Sequence, residues 1–223
     1  MIFPSNGKQP YISVSAFACP ERNRVDCLMK YNWDNVDAIH IDIMDGICVP
    51  LEGLQISEVE AINKSIAIPI DLHLMVVNQR KYLQRLLGLS NLHVVIVTIE
   101  NFTKELIREL LREIKNAGKI PGIAIWPNTD ISKILDFAIL CEVLLVMSTE
   151  AGVSQSLYIE NTVHRIQQIQ KILPSNIALW VDGGMNRNRA MELQGVGAEG
   201  FVFGRTFFDS LQTPGILSIK GNY

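Results

Sequence analysis

Two short apolar runs in this chain are interrupted by ionisable side chains at alternate positions. Ala38-Ile39-His40-Ile41-Asp42-Ile43-Met44-Asp45-Gly46 carries His40, Asp42 and Met44 at a spacing of two, and Ile70-Asp71-Leu72-His73-Leu74-Met75 carries Asp71, His73 and Met75 in the same way. A third run, Trp180-Val181-Asp182-Gly183-Gly184, ends on a carboxylate and two glycines. In a strand, residues two apart share a face, so each set points to one side. An unpaired carboxylate or imidazole buried in such a run costs several kcal/mol, so these groups need partners. Two imidazoles and two carboxylates, His40, Asp42, His73 and Asp182, form a ligand set suited to a borderline divalent metal: Zn²⁺ first, Fe²⁺ or Mn²⁺ next. His93 and His164 open a strand and sit on a helical pattern respectively, which suits structural or solvent-facing roles.

A scaffold must bring these three runs together. Apolar runs rich in Ile, Val and Leu recur at 11–17, 37–44, 69–75, 92–98, 120–126, 142–147, 177–182 and 199–204. Helical patterns lie between them. Residues 104–117 place Leu106, Leu110, Leu111 and Ile114 on one stripe, with Thr103 as a candidate N-cap and Gly118 as a stop. Residues 161–173 repeat the design with Val163, Ile166, Ile169 and Ile172, ended by Pro174. Eight strand–helix units of about 25 residues each fit an α/β fold, a single (β/α)8 TIM barrel, over one domain spanning 1–223. A doubly wound open sheet is the rival, but no Gly-x-Gly-x-x-Gly follows the first strand. Barrels place catalytic groups at the C-terminal ends of strands, where all three polar runs finish.

Composition narrows the class of function. Of 223 residues, 48% are hydrophobic and 19% charged, with a net charge of −3, so a folded core is expected and a nucleic-acid partner is not. The longest apolar stretch, 134–147, is broken by Asp136 and Glu142 and is too short to span a membrane. No apolar signal region precedes Ser5-Asn6-Gly7-Lys8. Cys19, Cys27, Cys48 and Cys141 show neither metal spacing nor a short disulfide framework, which fits a reducing compartment. The expectation is a cytoplasmic protein whose partners are a small-molecule ligand and further copies of the same chain. Gly183, Gly184 and Gly204 after the last two strands, with Gly152 after the sixth, offer backbone N–H groups for a phosphate.

At these residues the chain resembles the ribulose-phosphate 3-epimerase family, over about residues 12 to 208. The run His40 to Gly46 followed by Val49-Pro50 resembles its second-strand signature, Asp71 to Met75 its third, and Val181-Asp182-Gly183-Gly184 its seventh. The resemblance implies a metal-dependent sugar-phosphate epimerase, with one divalent ion on His40, Asp42, His73 and Asp182. Asp42 and Asp182 would be the acid–base pair on opposite faces of the substrate. It also implies Ser15, His73, Met44, Met75 and Met147 beside the reacting carbons, and Gly152, Gly183, Gly184 and Gly204 around the phosphate. Ribulose 5-phosphate and xylulose 5-phosphate are the default substrates. A hexulose 6-phosphate, or a metal- or sugar-binding barrel without turnover, is the alternative.

Departures from the family pattern cluster around the substrate. Glu150-Ala151-Gly152-Val153-Ser154-Gln155-Ser156 keeps one of three glycines where the family has Asn-Pro-Gly-Phe-Gly-Gly-Gln. Arg205 stands where a Ser is usual and is expected to contact the phosphate, the alternative being that it fills the place where phosphate would sit. Ile47 and Thr98 replace histidines, and Trp126 replaces an Asn before Pro127. A decarboxylase of the orotidine type is disfavoured, because its Asp-x-Lys-x-x-Asp pattern is absent from the third strand, which reads Asp71-x-His73 and then Val76.

Overall fold

The computed structural model describes residues 9–153 and 156–210. Eight parallel strands close into a barrel in sequence order. They are β1 (Tyr11–Ser15), β2 (Ala38–Met44), β3 (Ile70–Met75), β4 (Leu92–Thr98), β5 (Ile120–Ile125), β6 (Val143–Met147), β7 (Ala178–Asp182) and β8 (Gly200–Phe203). Between and after them run α1 (Arg24–Leu28), α2 (Ile56–Ser65), α3 (Gln79–Leu86), α4 (Lys104–Asn116), α5 (Thr162–Gln170), α6 (Arg187–Gly195) and α7 (Arg205–Ser210). The expected barrel is therefore present, with one change to its eight-unit plan. Between β5 and β6 the chain makes only a six-residue 3-10 turn, Ile131–Asp136. Ile131, Ile134, Leu135 and Ala138 have helical spacing, yet the tight turn buries Ile134 and Phe137 and leaves Leu135 and Ile139 exposed.

The alternation of each strand divides the apolar residues into two cores. Outward-facing Ile39, Ile41 and Ile43 join Val59 and Ile62 of α2 and Ile107, Leu110, Leu111 and Ile114 of α4 in the layer between sheet and helices. On α4, Ile107 takes the buried place expected of Leu106, and Thr103 Oγ1 caps the helix by accepting from Leu106 N at 3.3 Å. Inside the barrel, Val94, Ile96, Ala124, Leu145, Trp180 and Val202 pack as a second cluster. Tyr11 stacks on Trp180 with ring centroids 4.4 Å apart, forming a solid floor rather than a pore. Polar side chains appear only above that floor or bonded into it.

The cysteine reading is overturned. Cys19 and Cys27 form a disulfide, because the 3-10 turn Ala16–Ala18 and the start of α1 fold the chain back until their Cα atoms are 6.7 Å apart. The inference from thiol usage to a reducing compartment falls with it. Among the described residues, no helix is long and apolar enough to cross a membrane.

Candidate active and metal site

The register of the strands explains how three separate runs make one site. Asp42 on β2 pairs with His73 on β3, and Met44 with Met75 one step above. Going the other way around the ring, β2, β1, β8 and β7 are successive neighbours, so Asp182 at the end of β7 approaches the same point across the barrel axis. His40, Asp42, His73 and Asp182 each offer one ligand atom, and these atoms all lie within 4.8 Å of one another.

Short distances without bonding geometry mark the centre. His40 Nε2 lies 3.2 Å from Asp42 Oδ1 and 3.9 Å from Asp182 Oδ2, and His73 Nδ1 lies 3.5 Å from Asp42 Oδ1. Yet His40 Nε2, Asp42 Oδ1 and His73 Nδ1 are buried without an aligned hydrogen-bond partner. Buried polar atoms are almost always satisfied, and lone pairs that converge on one point are satisfied by a cation. The residues therefore fit a divalent metal. Asp42 Oδ2, by contrast, is occupied: it accepts from Ser15 Oγ at 2.9 Å. The serine expected beside the substrate thus orients a carboxylate.

Charges follow from this crowding. Burial alone would push the His40 imidazole down, but the carboxylates of Asp42, Asp182 and Asp71 outweigh it and raise it to about 9. Burial disfavours the Asp42 anion too, yet His40 and His73 hold its carboxyl well below the usual range. Asp182 goes the other way, to about 7, through burial and the neighbouring Asp42 charge. Two carboxylates of one site are held apart in basicity, the arrangement acid–base exchange needs. Asp71 stands beside His40 in the register of β2 and β3 but is not among the four converging residues. It accepts from Tyr11 Oη at 3.1 Å and Ser13 Oγ at 2.9 Å, and burial raises it to about 7.

An apolar lid surrounds the centre. Met44, Val49 and Met75 cluster at the mouth, with Phe17, Leu51, Trp126 and Ala151 against them, while Met147 belongs to the barrel interior. Asp45 joins two mouth loops by accepting from the N–H groups of Ile47, Cys48 and Val77. Trp126 is held from both sides: its N–H donates to Glu100 Oε1 at 2.8 Å and its carbonyl accepts from Arg165 Nη2 at 3.1 Å.

The glycines separate into two groups. Gly183 and Gly184 both have positive φ, 114° and 61°. Ser148 fixes this turn by donating to the carbonyls of Asp182 and Gly183, and Thr206 Oγ1, two residues after Gly204, donates to Met185 O. Gly152 lies elsewhere, at φ 62° against Val49, where an added Cβ would stand 2.3 Å from the valine Cβ. It seats the sixth loop over the mouth, and its φ alone disfavours other residues. Gly152→Ala is expected to raise KM several-fold and lower the melting temperature by a few degrees. Val49→Gly in the same chain should recover part of the loss, because it removes the β-carbon and both methyls that the new side chain meets; a strictly additive double-mutant cycle would refute the contact. Ser154 and Gln155 of this loop lie outside the described residues. Arg205 is exposed at the first position of α7.

Comparison with known proteins settles the family. The ribulose-phosphate 3 epimerase family model matches residues 12–208. The chain belongs to the ribulose-phosphate 3-epimerase family. Ribulose-phosphate 3-epimerase of Aquifex aeolicus is 31% identical over 176 residues, covering 77% of this chain and 78% of that protein. The protein of the same name from Chlamydia trachomatis is 29% identical over 180 residues, covering 78% and 75%. Among solved structures, a mutant tryptophan synthase α-subunit from Pyrococcus furiosus superposes with a TM-score of 0.66 at 14% identity, covering 95% of this chain and 93% of that one. That likeness shows the barrel alone. By family, this chain is an isomerase acting on carbohydrates.

Sequence reasoning missed Gln79 and Arg189 of this epimerase-family site, and it named Thr98 only as a departure from the family pattern, without its contact to His73. Gln79 and Thr98 stand behind His73, and the Arg189 guanidinium lies 4.1 Å over the Tyr158 ring while donating to Gly184 O at 2.6 Å. An amide, a hydroxyl and a helix arginine look the same in sequence as solvated surface groups. For Thr98 the available signals were its departure from the family's histidine and its position at the end of an apolar run.

Proposed function

We propose that this protein is a metal-dependent 3-epimerase of ketose phosphates that interconverts ribulose 5-phosphate and xylulose 5-phosphate. The observation that carries this reading is the convergence of His40, Asp42, His73 and Asp182 with three buried ligand atoms lacking aligned partners. One of Asp42 and Asp182 takes the proton from carbon three, and the other returns a proton to the opposite face, so the pair reverses roles with the direction of reaction. Their origins on β2 and β7, three strands apart around the ring, support roles on opposite sides of a substrate on the barrel axis. Ser15 keeps Asp42 from rotating away. Met44, Met75 and Met147 exclude water that would quench the enediolate, without adding competing charge. A bound divalent ion, with Zn²⁺ the first choice and Fe²⁺ or Mn²⁺ next, supplies polarisation of the ketone. Backbone N–H groups of Gly183, Gly184 and Gly204, with Arg205 beside them, hold the phosphate.

Turnover of ribulose 5-phosphate by protein reconstituted with each metal tests the reading, with reaction in D2O placing deuterium at carbon three. Absence of both turnover and exchange with every metal would refute it. A hexulose 6-phosphate is the second reading, and the bulk of Trp126 against the mouth cluster is the feature of the wall that opposes it. Trp126→Asn widens that wall and is expected to move the ratio of kcat/KM values toward the hexulose phosphate by about tenfold, the scale of a pocket contact worth about 1.4 kcal/mol. An unchanged ratio would remove Trp126 from the substrate wall.

A further inference from the structure

We propose that Thr98 is a positioning residue that holds the His73 ring in the tautomer leaving Nδ1 free for a cation. The inference rests on the metal-site reading above and names a residue that acts through His73. Thr98 ends β4 and is fully buried, as is His73 on the adjoining β3. Its Oγ1 lies 3.3 Å from His73 Nε2. The other ring nitrogen, Nδ1, faces Asp42 Oδ1 at 3.5 Å without an aligned hydrogen bond.

A neutral imidazole carries one N–H and one lone pair. With the proton on Nε2, the ring donates to Thr98 Oγ1 and turns its lone pair toward the four-residue centre. With the proton on Nδ1, the N–H points at Asp42 Oδ1, too far and too poorly aligned to bond, and no lone pair is left for a metal. The first arrangement satisfies the ring and the site together. Metal-ligating histidines are commonly fixed in this way, through the nitrogen that does not ligate.

Thr98 is itself held in place. Gln79, the first residue of α3 and only 1% exposed, closes an amide pair on its backbone. Gln79 Nε2 donates to Thr98 O at 2.8 Å, and Thr98 N donates to Gln79 Oε1 at 3.2 Å. A buried side chain thus takes the place of a strand neighbour at the end of β4 and fixes the height of the hydroxyl beside the ring. The family pattern has a histidine at this position, so the small hydroxyl is a departure from it.

The test compares wild type, Thr98→Val and Thr98→Ser by two readouts. Zn²⁺ affinity is measured by competition with a chromophoric chelator, and the His73 tautomer by long-range ¹H–¹⁵N correlation on metal-free protein, with His73→Asn to assign the signals. Valine keeps the shape and removes the hydroxyl, so it should weaken Zn²⁺ binding by about 10–100-fold. Serine should stay within about threefold of wild type. Wild type should show Nε2–H at His73, and the valine variant should lose that preference. Equal affinity in wild type and valine variant, or an Nδ1–H tautomer in wild type, would overturn the inference. A wild type that binds no zinc sinks the metal reading separately, while the tautomer in wild type and variant still decides the role of Thr98. Should Thr98→Val fold poorly, Thr98→Ala makes the same deletion with less bulk.

Discussion

Asp182→Asn is expected to lower epimerisation by about 10²–10⁴-fold, the usual range for losing a positioned acid or base. The carboxylate sits at the end of β7, 3.9 Å from His40 Nε2 and only 15% exposed, so no bulk-water route replaces it readily. Loss of a ligand could produce a similar drop, and isotope exchange separates the two causes. If Asp182 serves one face and Asp42 the other, the asparagine variant loaded with metal still exchanges the carbon-three proton of one epimer with solvent. It fails to exchange that of the other. A variant that holds no metal exchanges neither. Asp42→Asn should show the mirror-image selectivity, with a larger loss of metal, since Asp42 Oδ1 lies closest to both imidazoles. Near wild-type turnover in Asp182→Asn, or equal exchange from both epimers, would end the two-carboxylate assignment.

The parts of this molecule legible in sequence are those governed by local periodicity. A spacing of two put His40 and Asp42 on one face of β2 and His73 on the matching face of β3, and the structure keeps both. The eight apolar runs became eight strands, but closure of the eighth on the first was only favoured in sequence, because an open doubly wound sheet also covers both faces of its strands. Contacts that depend on loop paths and on side-chain reach across strands were not legible. The disulfide from Cys19 to Cys27 needs the 3-10 turn after β1, which no hydrophobic pattern announces. Asp71 has the same spacing from His73 as His40 has from Asp42 and pairs with His40 in register, yet it is absorbed by Tyr11 and Ser13. Only the hydroxyls of β1 that reach Asp71 separate a structural carboxylate from a ligand there. Gly152 looked equivalent to Gly183 and Gly184, and only the packing of its backbone on Val49 shows that it shapes the mouth.

Metal binding should be visible in stability before any substrate is added. The uncompensated groups around Asp42 Oδ1 are the reason: in the folded chain alone are they gathered within 4.8 Å. An ion that binds the folded form and not the unfolded one stabilises by RT ln(1 + [L]/Kd), about 2.7 kcal/mol at a hundred times Kd. For a chain of 223 residues that corresponds to a rise in Tm of roughly 5–10 °C. His40→Ala should abolish most of the zinc-induced rise, whatever it does to the metal-free Tm. The pH dependence has a definite sign. His40, raised to about 9, and Asp182, raised to about 7, both carry protons in the metal-free site that an incoming ion must displace. One proton is displaced between pH 7 and 9 and two below 7, so affinity falls as pH falls. Zn²⁺ binding should weaken by about two decades or more between pH 8 and pH 6, and calorimetry in buffers of different ionisation enthalpy should show proton release at both. An affinity independent of pH, or a Tm shift that survives in His40→Ala, would place the ion elsewhere than among these four residues.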